Sequence, residues 1–364
     1  MLNEINFFDC ALIFASSLIL SLCLMPITVH FLIKFDILDH PNYRKIHKKS
    51  IPRMAGITIY FSFVIPLAFY FKYLSPNSAL YTPWAGILFG STFALLIGCA
   101  DDIWNVPAVL KLFFLFLLTL LIWKFGVITN LPINTWLGLH IHWVHVAFNL
   151  IVTMLWLVGI TSALNALDHM DGMAGSVAVT SAISYFFVSL QSGQFTWTLI
   201  SLGLMGSLLG FLKYNWHPAK VFMGDSGSFF LGFCLASISI LGGWSPDPIK
   251  ASIIPIAIMS LPIFDLAYVI IARRLKGITH SIVESIAYCG KDHIGHRLTK
   301  LGFSQPLAVL MVCLLAATVS ISALTIRQVS YIESALLLIQ IIMIYLTVTF
   351  FMENILKRKN LQKK

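Results

Sequence analysis

The sequence predicts an all-α polytopic membrane protein of about eleven transmembrane helices, on three observations. First, 58% of the 364 residues are hydrophobic and only 11% charged, which is more apolar surface than a soluble domain can bury. Second, apolar runs of about 20 residues, long enough to cross a bilayer, recur along the whole chain. Third, charged residues collect between those runs and leave the runs nearly bare. The mean hydropathy of +0.87 agrees.

Taken in order, the runs lie near 9–33, 55–73, 84–100, 107–126, 146–164, 173–192, 196–214, 228–244, 250–272, 305–326 and 331–352. The first is long and opens beside Glu4 and Asp9 rather than basic residues, so it is expected to remain as a span and not to be cleaved as a signal peptide. Between the fourth and fifth runs, "GVITNLPINTWLGLHIHW" predicts a small external β-hairpin near 127–145, with Trp136 and Trp143 at headgroup depth. His140 and His142 would share a strand face there, which is a weaker case for a metal site. The six cysteines (Cys10, Cys23, Cys99, Cys234, Cys289 and Cys313) form no CxxC pair and fall mostly within spans, so they read as small core side chains. No soluble domain, low-complexity segment or internal repeat stands out, and the chain reads as one integral-membrane domain over 1–364.

Lys and Arg set the orientation. Placing 34–54, 101–111, 165–172, 213–227, 273–304 and 353–364 on one side leaves only Lys72, Lys124, Lys250 and Arg327 of the 24 basic residues on the other. The positive-inside rule makes the rich side cytoplasmic, with the amino terminus outside and the carboxyl terminus inside. The net charge of +9 suits loops beside anionic headgroups and gives no reason to invoke nucleic acid.

The acids sort differently. Asp101, Asp102, Asp168, Asp171 and Asp225 all fall at cytoplasmic ends of spans, in three separate loops. A carboxylate in the hydrocarbon costs on the order of 2–3 kcal/mol at a helix centre and less near the interface. Each alone reads well as a solvated helix cap, because Asp is a favoured N-cap. Five on one side, in glycine-rich or paired settings, read better as one site. Gathered carboxylates repel and take up protons unless a cation neutralises them. Their hard oxygens suit Mg²⁺, which keeps several waters and pairs with substrate phosphates. "VFMGDSGSFFLGF" (221–233) puts Asp225 in a turn opening the eighth span, where Gly224 and Gly227 admit close backbone approach and helix N–H groups attract anions.

A basic counterpart lies in "GKDHIGHRLTKLGFS" (290–304), where His293, His296 and Arg297 at i, i+3 and i+4 would share one helical face. Two imidazoles and a guanidinium suit a diphosphate, and Arg297 weighs against a metal there. The first loop, "HPNYRKIHKKSIPRMAG" (40–56), adds Arg44, Lys45, His47, Lys48, Lys49 and Arg53, and alone it reads as an ordinary positive-inside loop. Asp265, in "LPIFD", is expected within the ninth span with no partner legible.

Taken together, these blocks resemble the polyprenyl-phosphate N-acetylhexosamine-1-phosphate transferase family, which includes enzymes that begin O-antigen and teichoic-acid synthesis and the phospho-muramoyl-pentapeptide translocase. "RKIHKKSIPRMAG" is similar to its first basic loop, "CADDIWNVPAVLKL" to its Asp-Asp motif and "SALNALDHMDGMAG" to its Asn…Asp-x-x-Asp-Gly motif. "NWHPAKVFMGDSGSFFLGF" matches nearly residue for residue, and "HIGHRL" resembles the last loop. The resemblance runs in order from about residue 40 to 304.

It implies that a lipid phosphate attacks the β-phosphate of a UDP-amino sugar, releasing UMP and leaving a polyprenyl-diphosphate sugar, with Mg²⁺ or Mn²⁺ required. It implies the bacterial inner membrane, a cytoplasmic site, and no bar to a homodimer. On the family pattern Asp225 would hold the metal, with Asp102 beside it, while Asp101 and Asp102 position or deprotonate the lipid phosphate. Asn165 and Asp168 would face the diphosphate or sugar. Asp171, Asn215 and Phe222 would line the uridine pocket, and Lys49, His293, His296 and Arg297 would hold phosphates.

Departures from the pattern are local. The last loop commonly reads His-x-His-His-Arg, but its middle His is Gly295 here; Ser162, His169 and Ala55 also replace common family residues. These leave the sugar open among UDP-N-acetylhexosamines, with UDP-GlcNAc first and a 6-deoxy sugar as an alternative. The CDP-alcohol phosphotransferases share Asp-x-x-Asp-Gly but need further acids close behind, and here none follows Asp171 until Asp225. A cation-coupled transporter predicts ionisable residues at the bilayer midplane and broken helices in repeated halves, whereas these acids gather at loops.

Overall fold

The computed structural model describes residues 6–41, 49–75, 81–134, 138, 141–288 and 290–361. Glu4, Arg44, Lys45, His47, Lys48, Trp136, His140 and Cys289 lie outside the described residues.

Within them the protein is helical. In chain order the elements are α1 (Phe7–Lys34), β1 (Leu38–Asp39), β2 (Ile51–Pro52), α2 (Gly56–Phe69, prolonged by a π-turn over Tyr70–Leu74), α3 (Tyr81–Trp104) and α4 (Ala108–Ile122). There follow α5 (His142–Leu167), α6 (Met173–Ser192), α7 (Phe195–Asn215), α8 (Gly224–Leu241), α9 (Pro248–Ile258) and α10 (Ser260–Leu275). The chain continues through the short α11 (Ile282–Ala287) and α12 (Ile294–Lys300) to α13 (Gln305–Ile326) and α14 (Tyr331–Leu361). Among the described residues ten helices are long and apolar enough to cross a membrane, and α9 with α10, bent by 69°, bring the number to eleven if that pair counts as one span. Pro262 explains the bend, because it has no N–H to continue the α9 ladder across Met259. This is a multi-pass membrane protein with ten to eleven candidate spans, beside the eleven that hydropathy predicts.

The hairpin predicted over 127–145 is not formed among the described residues there; α5 begins at His142 instead. The reason is a competing set of partners. Leu131 N–H donates to Asn149 Oδ1 at 2.7 Å, Asn149 Nδ2 returns a bond to the Leu131 carbonyl at 3.1 Å, and Thr129 N–H donates to Thr153 Oγ1 at 2.9 Å. Side chains of α5 thereby satisfy the backbone groups that a second strand would have taken. The two-stranded sheet lies instead at the foot of the first basic loop, β1 antiparallel to β2 with Leu38 opposite Pro52.

The spans differ in depth. The most apolar stretch of α8 is 78% buried, against 22% in α1 and 17% in α14, so α8 is the central post and the other two face lipid. It packs on α3, α5 and α2. Gly98 lets α3 meet it backbone to backbone, since a Cβ there would sit 2.2 Å from the Asp225 carbonyl oxygen. The post therefore carries Asp225 into the junction of the loops after α3, α5 and α7.

Candidate active site

The loops enclose a cavity of about 790 Å³. Asp102, Asp168, Asp171 and Asp225 line one part of it, and Lys49, Asn215, Phe222 and His296 line others. Residues from five separate loops thus line one cavity. Asp101, Asn165, His293 and Arg297 are not among the residues lining it.

Asp225 is set by its neighbours. Asn165 Nδ2 donates to its Oδ1 at 2.9 Å and also to Ser228 Oγ at 2.9 Å, while Lys111 Nζ lies 3.4 Å from its Oδ2. Lys111 makes its tighter ion pair with Asp101, at 2.5 Å. Asp101 and Asn165 therefore reach the cavity through Asp225 rather than by facing it.

Asp102 crosses from the end of α3 to the start of α8. Its Oδ1 accepts the Asp225 N–H and its Oδ2 the Ser226 N–H, both at 3.0 Å. It is a helix cap supplied from another span, satisfying two of the orphan donors at an N-terminus. Gly224 makes this possible: its backbone is left-handed, φ +74°, and a Cβ there would lie 2.6 Å from Asp102 Oδ2.

Asp168 is half-buried beside these groups. Burial, with the charges of Asp102 and Asp171, pushes its carboxyl up to about 7, against a smaller opposing bond from the Gly224 N–H. Asp171 closes the wall, with Oδ2 2.7 Å from His217 Nδ1 and accepting the Ala219 N–H at 3.2 Å. Asn215 braces the same turn by accepting the Gly172 N–H at 2.9 Å and donating to the Val221 carbonyl at 2.8 Å.

The last loop departs from the expectation of one shared face. His293 precedes α12 as its N-cap; its Nδ1 is 2.7 Å from Asp265 Oδ2, and Asp265 Oδ1 accepts the Ile294 N–H at 2.7 Å. His296 faces the main cavity, whereas Arg297 lines a second one. Neighbouring helical positions point about 100° apart, so α12 is a partition between two spaces. The His293 imidazole stacks on His169 and that of His296 lies tilted against it, with ring centroids 4.9 and 4.6 Å away. Burial first, and then the neighbouring histidines, drive His169 down to about 3; burial, His293 and Lys291 take His296 down to about 4. Both are neutral at neutral pH.

Four contributors have no site role in the sequence reading. Lys111 lies within "CADDIWNVPAVLKL" without being singled out, although a lysine just inside an apolar run is a signal in itself. Arg53 read as topology, yet it lines the cavity and its buried Nε has no hydrogen-bond partner among the described residues. Asp265 finds His293, and His169 meets the rings of His293 and His296, only through long-range packing, which no local pattern encodes.

Among the described residues no three carboxylate, imidazole or thiolate groups converge as a metal cage. Mg²⁺ is usually held by one or two carboxylates together with substrate phosphates. Asp225, with 32% of its side chain open, and Asp168, which lines the same cavity, offer that donor set, so the residues fit such an ion.

Comparison with known proteins points the same way. A family model described as glycosyl transferase family 4 matches residues 84–243. The chain is 32% identical over 335 residues to a probable undecaprenyl-phosphate N-acetylglucosaminyl 1-phosphate transferase of Bacillus subtilis, covering 92% of this chain and 89% of that protein. It is 27% identical over 308 residues to the decaprenyl-phosphate N-acetylglucosaminephosphotransferase of Mycobacterium tuberculosis, covering 78% and 74%. Over 212 residues it is 31% identical to the phospho-N-acetylmuramoyl-pentapeptide-transferase of Streptococcus thermophilus, covering 53% and 59%.

Proposed function

Since the chain belongs to glycosyl transferase family 4, as a polyprenyl-phosphate N-acetylhexosamine-1-phosphate transferase, we propose that it transfers N-acetylglucosamine 1-phosphate from UDP-N-acetylglucosamine to undecaprenyl phosphate. The products are UMP and an undecaprenyl-diphosphate sugar, the first membrane-bound intermediate of a bacterial cell-envelope glycan. The observation that carries this reading is one cavity lined by Asp168 and Asp225 together with the cations Lys49, Arg53, Lys220 and Lys291. Two anionic substrates can meet only where positive charge offsets their repulsion. The likeness to the Bacillus subtilis protein, over nearly the whole of both chains, supports the sugar and the lipid.

In this reading an oxygen of the lipid phosphate attacks the β-phosphorus in line, the bridging P–O bond breaks, and UMP leaves. Lys49, Arg53 and His296 hold the phosphates and align them, with no proton needed from an attacking group that is already an anion. Asn165 and Lys111 fix the rotamer of Asp225, and Asp101 holds Lys111 in place. Asp102 aims the start of α8 at the reacting groups. Phe222 offers a face for the uracil ring in a wall kept in shape by Asp171 and Asn215. Mg²⁺, or Mn²⁺ in its place, would be held by Asp225 and Asp168 and would neutralise charge on the diphosphate. The loops carrying these residues hold most of the Lys and Arg, which supports a site on the cytoplasmic face of the bacterial inner membrane, with the amino terminus outside.

The test is direct. Purified protein with Mg²⁺, undecaprenyl phosphate and a panel of UDP-sugars should release UMP fastest with UDP-N-acetylglucosamine. Faster release with a 6-deoxy-N-acetylhexosamine would reassign the sugar. Folded protein that releases no UMP with any sugar would end the transferase reading.

A further inference from the structure

The second cavity, about 490 Å³, lies where the end of α10, the short α12 and the end of α14 meet. Its chemistry is basic. Arg273, Lys276, Arg297, Lys300, Lys357 and Lys359 line it against two carboxylates, Asp292 and Glu353. Both carboxylates are engaged: Asp292 takes both ends of a fork from Arg273 at 2.6 and 2.8 Å, and Glu353 accepts the Tyr268 hydroxyl at 2.6 Å. The lysines are only lightly committed. Lys300 donates to the Lys291 carbonyl at 2.6 Å and Lys359 to the Leu301 carbonyl at 2.7 Å, leaving further N–H donors on each.

Arg297 is the telling residue. It is 3% exposed, and among the described residues none of its three side-chain nitrogens has a hydrogen-bond partner. Its guanidinium lies over the Tyr268 ring at 3.9 Å, and the nearest carboxylate oxygen, Asp265 Oδ1, is also 3.9 Å off, too far for a hydrogen bond. A buried cation with its donors unmet is expensive unless something accepts them. A planar fork of N–H groups suits a phosphoryl or carboxylate group, and the lysines around the cavity favour the more highly charged phosphoryl. Lipid is close at hand: Ile278 and Leu356 line the same cavity, and Ile271, Leu275 and Ile355 stand exposed on the adjoining helices.

We propose that this cavity is a phosphoryl-binding site distinct from the catalytic one, with Arg297 at its floor and Lys357 and Lys359 at its rim, and that it takes the headgroup of an anionic phospholipid. The shared chemistry is the phosphoryl anion, and inorganic phosphate is the soluble source to be distinguished from lipid. Because α12 separates the two cavities, an occupant here bears on the helix that presents His296 to the substrates.

The full chain in nanodiscs separates the two sources. Thermal unfolding is followed in phosphatidylcholine alone, in phosphatidylcholine with phosphatidylglycerol, and in phosphatidylcholine with inorganic phosphate in solution. Phosphatidylglycerol is expected to raise the unfolding temperature, and the Lys357→Gln/Lys359→Gln double variant to lose most of that rise. Lys213→Gln, which removes a basic charge from neither cavity, should keep the rise in full. Arg297→Gln should lose the rise as well, and if that variant does not fold, the rim variant alone decides. A rise with inorganic phosphate that the rim variant loses would keep the site and make its ligand soluble. A phosphatidylglycerol rise that survives the rim variant, or no rise with either source, overturns the proposal.

Discussion

The carboxylate of Asp102 accepts the backbone N–H of Asp225 at 3.0 Å, so one acid of the cavity aims another. Asp102 also accepts the Ser226 N–H, and α8 has no cap from its own flanking residue. Losing a helix cap costs about 0.5–2 kcal/mol. Asp102→Ala is therefore expected to lower thermal stability by about that much, and UMP release far more, because Asp225 is no longer aimed. Asp102→Asn keeps one acceptor oxygen but turns a donor toward the second N–H, and should recover only part of the stability. Equal stability in the parent and the Ala variant would remove the capping role.

Lys111 is held between Asp101 and Asp225, at 2.5 and 3.4 Å. Removing one partner of a largely buried pair costs about 3–5 kcal/mol, chiefly because the other charge is left unpaired. Lys111→Gln should destabilise the protein by an amount toward the lower end of that range, since 18% of the lysine side chain is exposed. Adding Asp101→Asn should restore much of the stability but none of the activity, because Asp225 still lacks its lysine. Thermal unfolding and UMP release, measured on the two single variants and the double, separate these effects, and full turnover in Lys111→Gln would contradict them.

Much of this was legible in the sequence, and the boundary has a physical cause. Hydropathy reports each residue's preference for lipid, so the spans and the loops between them could be read one segment at a time. The five aspartates stood out because a carboxylate near hydrocarbon needs a reason. Neither property encodes which side chain meets which across helices. Asp265 looked partnerless in the sequence, and its partner His293 lies 28 positions on. The failed hairpin has the same origin, since Asn149 and Thr153 lie beyond the segment whose alternation suggested strands. His293, His296 and Arg297 kept helical spacing in sequence, yet the first precedes the helix and the other two face different cavities.

His169 and Gly295 compete for one volume. A Cβ at 295 would lie 2.6 Å from Met170 Sδ, 2.7 Å from Met173 Cε and 3.1 Å from His169 Nε2. The methionine ends can swing aside, while the imidazole is held against two other rings, with centroids 4.9 and 4.6 Å away. Gly295→His is expected to destabilise by about 1–3 kcal/mol, the usual range for overpacking. His169→Gly in the same chain should relieve most of that cost, giving a strongly non-additive double variant. Additive losses in thermal unfolding would mean that the two positions do not share space.

Asp168 links the cavity to pH. Its carboxyl, pushed up to about 7 from an ordinary 3.8, keeps its proton where most acids have lost theirs. Without a cation the folded state binds more protons here than the unfolded chain does between those two values. This group's contribution to stability therefore falls as pH rises from about 4 through 7. A divalent cation reverses the preference by favouring the carboxylate, so Mg²⁺ binding should displace the proton and strengthen as pH rises toward 7, levelling off above it. Calorimetry at pH 7 in two buffers of different ionisation enthalpy should report about half a proton released per Mg²⁺ bound, falling toward none well above pH 7. Asp168→Asn should bind Mg²⁺ more weakly and without release. The same release from that variant would assign the proton to another group and leave Asp225 as the metal's main carboxylate.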